Sequence, residues 1–189
     1  MSRFARWLAL SIGTIALAVA TAEPASQNLI VNGGFEDGTD SPTGWRFGTG
    51  TLENFQYGRT HDCAHGRLAA RIITKSDAMS GYWAQTVKVK PHTRYRLKLM
   101  MKLEAGKVLV YVRGKGIEKR LYLDAATENP LVPVFIPPKW ALGVCETNVW
   151  LSQSLDFDSG MADSVTVNLG SYFRTGAVNF DDIELVEIK

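Results

Sequence analysis

The sequence predicts an all-β protein, a β-sandwich of two antiparallel sheets, and three observations lead there. Short apolar runs recur between turns rich in Gly, Pro, Asn, Asp and Ser; within those runs apolar and polar residues alternate; and beyond the first 22 residues no segment keeps a helical period. The alternation is clearest where Tyr95, Leu97, Leu99, Met101 and Leu103 interleave with Arg96, Lys98, Met100 and Lys102. Val108, Val110 and Val112 alternate with Leu109, Tyr111 and Arg113, and Val165, Val167 and Leu169 with Thr166 and Asn168. Successive side chains on a strand point to opposite faces, so each stripe marks one buried face, and two such sheets bury their stripes against each other.

Taken in order, Met1 to Ala22 reads as an export signal. Arg3 and Arg6 precede an apolar stretch of 13 residues, Trp7 to Val19, and Ala20-Thr21-Ala22 offers a small-x-small cleavage site. Thirteen helical residues rise about 20 Å, short of a bilayer core of about 30 Å, so no stable membrane insertion is expected. Cleavage leaves one domain, residues 23–189, secreted or periplasmic. Strands are expected near 28–31, 45–55, 68–74, 82–90, 94–103, 107–113, 117–123, 132–136, 146–153, 164–171 and 177–187. Gly58 to Gly66 and Asp156 to Asp163 read as loops. Pro130, Pro133, Pro137 and Pro138 make Thr127 to Val144 an edge or loop excursion, because proline cannot donate to a central ladder.

Two of the 21 basic residues and none of the 19 acidic ones lie in the signal, which leaves the domain at 19 against 19. That balance gives no reason to expect nucleic acid as a partner. The two cysteines, Cys63 and Cys145, are an even number in an exported chain and favour a disulfide, although the sequence does not show that they come together. No G-x-S-x-G, H-E-x-x-H, P-loop or dinucleotide fingerprint is present, and no catalysis is expected. Oligomeric state is not legible.

The two ends of the domain carry matching blocks. Asn28-Leu29-Ile30-Val31-Asn32-Gly33-Gly34-Phe35-Glu36, with Gly44-Trp45 beyond, opens it, and Val178-Asn179-Phe180-Asp181-Asp182-Ile183-Glu184-Leu185 closes it. In a sandwich that pairs its first and last strands, Glu36 meets Asp181 and Asp182. Clustered carboxylates repel unless a cation sits between them, and a hard ion such as Ca2+ suits oxygen donors. These blocks, together with Trp83-Ala84-Gln85-Thr86-Val87-Lys88-Val89-Lys90-Pro91 and the Tyr95-Arg96-Leu97 strand after it, resemble the CenC-like carbohydrate-binding modules. The resemblance runs from Asn28 to Ile188 and implies a galactose-binding-like jelly roll that binds polysaccharide or cell-surface glycan. It also implies a structural calcium held by Glu36 and one of the two aspartates, and a core containing Phe35, Trp45, Trp83, Tyr95 and Phe180.

Sugar binding needs aromatic faces for the apolar side of a pyranose and a few polar groups for its hydroxyls. The candidates by parity or loop position are Tyr57, Tyr82, Tyr111, Tyr122, Trp140 and Trp150. Arg96, Lys98, Lys102 and Arg113 are expected to share a face with Tyr111, where they could grip a polysaccharide, an acidic one included. His61-Asp62-Cys63-Ala64-His65 reads as a polar loop. The second reading is a structural, adhesive or protein-binding sandwich that has lost its sugar site, and the third a small polysaccharide-active enzyme.

Overall fold

The computed structural model describes residues 27–125 and 143–189. The expected export signal, the expected strand at 132–136 and Trp140 lie outside the described residues. Eleven strands are described: β1 (Arg46–Thr49), β2 (Phe55–Thr60), β3 (Ala69–Thr74), β4 (Ser80–Lys88), β5 (Arg94–Ala105), β6 (Lys107–Gly114), β7 (Ile117–Ala125), β8 (Gly143–Cys145), β9 (Trp150–Asp158), β10 (Ser164–Tyr172) and β11 (Gly176–Glu187). They form a six-stranded sheet of order β1-β4-β10-β6-β7-β8 and a five-stranded sheet of order β2-β3-β11-β5-β9. Every pair is antiparallel except β7 with β8, which run parallel. A single 3-10 turn at Leu52–Asn54 joins β1 to β2. No described helix is long and apolar enough to cross a membrane.

The expected β-sandwich is thus present, with three local differences. The run 45–55 is interrupted after Thr49, and its chain resumes as β2, which reaches Thr60 inside the expected loop. β9 lies later than expected and continues to Asp158. Its outward residues Ser152, Ser154 and Asp156 are exposed while Phe157 is buried, so an edge strand with one wet face looks like a loop in sequence. Residues 28–31 form no ladder. That segment is fastened to β11 by Leu29 N–H donating to the Leu185 carbonyl (2.9 Å) and by the Asn28 side chain, which accepts from Leu185 N–H (2.9 Å) and donates to the Ile183 carbonyl (3.2 Å).

The core lies between the sheets. Phe35, Trp45, Trp83, Tyr95 and Phe180 are all buried, as the resemblance implies, beside the inward stripes of β5, β6 and β10. Each such side chain contributes about 1.5–3 kcal/mol by leaving water. Closing the two ends of the domain requires Gly33. Its carbonyl accepts from Ile183 N–H (3.0 Å), and a Cβ at residue 33 would lie 2.1 Å from the Ile183 carbonyl oxygen.

Candidate functional site

The outward face of the six-stranded sheet gathers most of the molecule's tyrosines. Register aligns its side chains in rows that cross the strands. One row runs Tyr82, Gly170, Leu109, Tyr122 over β4, β10, β6 and β7. The next runs Arg46, Ala84, Asn168, Tyr111, Arg120, from β1 to β7. A third holds Thr86, Thr166, Arg113 and Glu118. Tyr82 lies over Gly170, where a Cβ would be 1.9 Å from its Cδ1, so a bare backbone is what lets the ring lie down. Tyr82 meets Tyr111 edge to face with centroids 5.2 Å apart; Tyr122 meets Tyr172 likewise at 5.2 Å, and Phe173 extends the aromatic strip at 4.7 Å from Tyr172. These are favourable aromatic geometries that fix ring orientation. Burial pushes the Tyr82 hydroxyl up to about 12 and raises those of Tyr111 and Tyr122, so all three remain neutral hydrogen-bonding groups.

Polar groups border the rings. The Arg113 guanidinium stands 5.5 Å from the Tyr111 ring centroid, a cation–π distance, and donates through Nε to Glu118 (2.7 Å). Arg120 pairs with the other oxygen of Glu118 and donates to the Tyr122 hydroxyl (3.4 Å). Burial pushes the Glu118 carboxyl up, but hydrogen bonds from Arg113 and Arg120 outweigh it and hold the group below its ordinary value. Asn168 donates to the Thr166 carbonyl (3.1 Å), and the Thr86 and Thr166 hydroxyls share a 2.8 Å hydrogen bond. Of the expected ligand-binding residues, Tyr82, Tyr111, Tyr122 and Arg113 therefore come together. Tyr172, Asn168, Arg120 and Glu118 join them unforeseen. Tyr172 has the parity of Thr166 and Asn168 and was legible by extending that alternation one step past residue 171.

Others are placed elsewhere. Arg96, Lys98 and Lys102 do not share a face with Tyr111: they point outward from β5 in the five-stranded sheet, on the opposite side of the sandwich. There Arg96 forks onto Asp156 (2.6 and 2.7 Å), Lys98 meets Glu184 (2.9 Å), and Lys102 meets Asp62 (2.8 Å). Trp150 sits opposite Lys102 on that same sheet. Parity alone cannot say which sheet a strand joins, which is why these residues were grouped with Tyr111. Tyr57 stacks on Phe47 at 4.0 Å where edge strands β2 and β1 meet, away from the other tyrosines. A cleft of about 490 Å3 lies beside the first and last described residues, lined by Leu29, Val89, Tyr95 and Ile188 among others. Its one aromatic, Tyr95, is buried and its hydroxyl accepts from Lys90 N–H, so no ring face is offered to a sugar.

The two end blocks do bring carboxylates together. Glu36 accepts the main-chain N–H of Arg67 (2.6 Å) and Leu68 (3.0 Å), and these bonds hold its carboxyl below the usual value. Asp181, fully buried, accepts N–H from Ala64 (2.8 Å) and His65 (3.0 Å) through one oxygen and from Asp182 (2.8 Å) through the other. Burial nevertheless raises its carboxyl above the ordinary value, against the pull of those amides. Both carboxylates thus converge on the loop between β2 and β3. Gly34 lies beside them: its Cβ would be 3.8 Å from Asp181 Oδ1 and 3.9 Å from Glu36 Cγ. Asp182 is turned away to the His65 ring, at an irregularity in the β11–β5 register where its own φ is 50°. The Arg59 guanidinium gathers the carbonyls of Phe35 (3.4 Å), Glu36 (3.2 Å), Gly38 (2.7 Å) and Thr39 (2.5 Å) at the edge of this assembly.

The expected Cys63–Cys145 disulfide is not formed; Cys63 is a free thiol. It sits in the loop drawn down by Asp181, between strands of the five-stranded sheet, whereas Cys145 ends β8 at the far edge of the six-stranded one. Burial pushes the Cys63 thiol up, and the charges of Asp181 and Glu36 add to it, so it is not an activated thiolate.

No protein-family model matches the chain, and no curated protein sequence does. Solved structures do. A family 61 carbohydrate-binding module in complex with β-1,4-galactotriose superposes with a TM-score of 0.56 at 19% identity, over 86% of this chain and 100% of that one. The CBM22-1 xylan-binding domain from Paenibacillus barcinonensis Xyn10C gives 0.58 at 16% identity, over 89% and 99%. The enzymatically active domain of tailspike protein 4 from bacteriophage CBA120 gives 0.61 at 14% identity, over 85% of this chain but only 21% of that one, so the chain spans about a fifth of the tailspike domain. The motif resemblance is borne out at the level of the fold: the chain has the jelly-roll β-sandwich of the carbohydrate-binding modules.

Proposed function

We propose that the protein is a non-catalytic polysaccharide-binding module that takes its glycan on the outward face of the six-stranded sheet. The observation that carries this reading is the gathering of the partly exposed Tyr82, Tyr111 and Tyr172 on one sheet face, braced by the buried Tyr122 and Asn168, with Arg113 and Arg120 beside them. Ring faces accept the apolar side of a pyranose, while amide, hydroxyl and guanidinium groups meet its hydroxyls. The fold is shared with modules whose structures hold galactotriose or bind xylan, which supports a polysaccharide, free or on a cell surface, as the partner. A non-catalytic role agrees with the face's own carboxylates. Glu118 is held below its ordinary value between two arginines, the opposite of the raised acid that glycoside cleavage needs.

A structural calcium belongs to the same proposal. Glu36 and Asp181 would hold it, with Asp182 left out by its contact with His65. Among the described residues no three His, Cys, Asp or Glu side chains are grouped to hold a metal by themselves. Main-chain oxygens would therefore complete the six to eight that calcium takes. An ion there would tie the Gly33–Glu36 turn to β11, and chelation should lower the melting temperature by several degrees. An unmoved transition, with no metal in the purified protein, would remove the ion from the proposal. The reading also keeps residues 1–22 as a cleaved export signal and residues 23–189 as a secreted or periplasmic module.

The test is native electrophoresis of residues 23–189 through gels containing galactan, xylan or uronic-acid polymers, beside the Tyr111→Ala variant. Retardation in at least one gel that Tyr111→Ala abolishes, with the variant folded by circular dichroism, is the expected result. Migration unaffected by every polymer would overturn sugar binding and favour the structural or protein-binding reading.

A further inference from the structure

The two outward faces of the sandwich treat charge differently. On the five-stranded sheet four outward cations are each paired with an acid, Arg71 with Glu104, Arg96 with Asp156, Lys98 with Glu184 and Lys102 with Asp62, and a fifth, Arg94, stands opposite Asp158 in the register. On the tyrosine face the described outward positions hold five cations, Arg46, Lys88, Lys107, Arg113 and Arg120, against two carboxylates, Glu118 and Asp124. Each of those carboxylates is already bracketed by two cations: Glu118 by Arg113 and Arg120, and Asp124 by Lys107 (3.5 Å) and Arg174 (3.2 Å). Arg46 and Lys88 are exposed, and among the described residues neither has an ion-pair partner. The domain as a whole is balanced, so this excess is local to the face that carries the rings.

The excess is also ordered. Arg46 and Arg120 end the same row, with Ala84, Asn168 and Tyr111 between them. Four inter-strand steps separate the two ends, about 19 Å at the usual strand spacing. Ala84 and Asn168 are short, so the row forms a low floor between Arg46 and the Tyr111 ring. The Tyr82–Tyr122 row flanks it on one side and the Arg113–Glu118 row on the other. A glycan lying along that floor has rings to stack on and a guanidinium at each end and at its flank. A guanidinium carries five N–H donors in a fork that fits a carboxylate or sulfate two bonds at a time, which hydroxyls cannot exploit as fully.

We infer that the polysaccharide is acidic, its sugar units carrying carboxylate or sulfate, and that Arg46 and Arg113 select it across the tyrosine face. The inference rests on the sugar-binding reading above and adds the substrate class to it. Bringing an anion to this face restores the balance that the opposite face reaches with its own side chains. Binding should weaken as salt rises, because the charges concerned are exposed.

The experiment compares gels of polygalacturonate, the same polymer fully methyl-esterified, a sulfated galactan and a neutral galactan. Wild type is run beside Arg46→Ala, Arg113→Ala and the double variant, at low and high salt. Polygalacturonate or the sulfated galactan should retard the protein, and which of the two does so identifies the anion. Esterification should abolish the effect of polygalacturonate, and the double variant should lose about tenfold in affinity for the acidic polymer, about 1.4 kcal/mol. Retardation by neutral galactan or the methyl ester as strong as by the acidic polymers would overturn the acidic class and leave sugar binding standing. Full retardation of the double variant by an acidic polymer would overturn the roles of Arg46 and Arg113. No retardation in any gel would remove both readings together. Arg46 is exposed, so its variant folds as wild type does, and the Tyr82→Ala variant, which keeps every cation, separates recognition from simple ion exchange: ion exchange would leave its retardation intact and overturn the proposal.

Discussion

Gly170→Ala tests the seat of the tyrosine face directly. A methyl group at residue 170 would lie 1.9 Å from Tyr82 Cδ1, 2.4 Å from Cε1 and 2.7 Å from the Gly81 carbonyl oxygen. Carbon atoms in contact rest at about 3.5–4.0 Å, so the ring must retreat by about 1.6 Å or more. The Gly81 carbonyl cannot retreat freely, because Gly81 is paired with Ser171 of β10 and with Thr49 of β1. Overpacking of this kind costs about 1–3 kcal/mol. In a domain of this size each kcal/mol moves the melting temperature by about 2–4 °C, so the midpoint should fall by roughly 2–12 °C. The displaced ring should also lose its edge-to-face contact with Tyr111 and weaken retardation by the polysaccharide. The assay is thermal unfolding of wild type, Gly170→Ala, Tyr82→Ala and the double variant. Most of the clash is with the ring, so the alanine at 170 should cost much less when Tyr82 is already alanine. An equal cost in both backgrounds, or no cost in either, would refute the placement of Tyr82 over Gly170.

Three further outcomes are expected. Asn179 is fully buried, accepts from Arg71 (2.8 Å) and donates to Asp62 (3.0 Å), so Asn179→Ala should cost about 1–3 kcal/mol in urea unfolding; a loss within 0.5 kcal/mol would show that the network does not hold the loop. Gln85, buried in β4, accepts from Val31 N–H (2.8 Å) and donates to the Val31 carbonyl (2.9 Å), so Gln85→Leu should speed amide exchange at residue 31 and cost about 1–2 kcal/mol; unchanged exchange at residue 31 would argue against that pairing. Glu36, Glu104 and Asp156 are held below their ordinary values by hydrogen bonds from, respectively, main-chain amides, Arg71 and Arg96. Their stabilisation is complete above the ordinary carboxylate range, about pH 4, and is lost as pH falls through their lowered values, so melting temperature should hold from pH 8 to 5 and drop below. In the metal-free protein Asp181, raised by burial, acts oppositely: it favours the fold at low pH and loses that contribution as pH rises. Glu36→Gln should therefore flatten the acid limb and Asp181→Asn steepen it, and the reverse pattern would contradict the two environments.

The sandwich was legible because period-2 alternation is a direct record of burial on one face. Tyr95 to Leu103 and Val108 to Val112 are buried at every second position, as the sequence requires. The end blocks were legible for a different reason. Asn28, Gly33 and Asn179 each do something only that side chain, or its absence, can do: Asn28 and Asn179 join distant main chain and side chains, and Gly33 admits the Ile183 carbonyl. What the sequence does not contain is strand order. Tyr111 with Arg113 and Lys98 with Lys102 are the same kind of pattern, ring or cation at alternate outward positions. Their difference is made by the neighbours that topology brings alongside. β5 lies between β9 and β11, which supply Asp156 and Glu184, while β6 lies between β10 and β7, which supply Asn168 and two acids, Glu118 and Asp124, each already shared between two cations. The first face neutralises itself and needs nothing from solution. The second keeps its rings in place by edge-to-face contacts and its charge unbalanced, which is the arrangement that the proposed acidic glycan would meet.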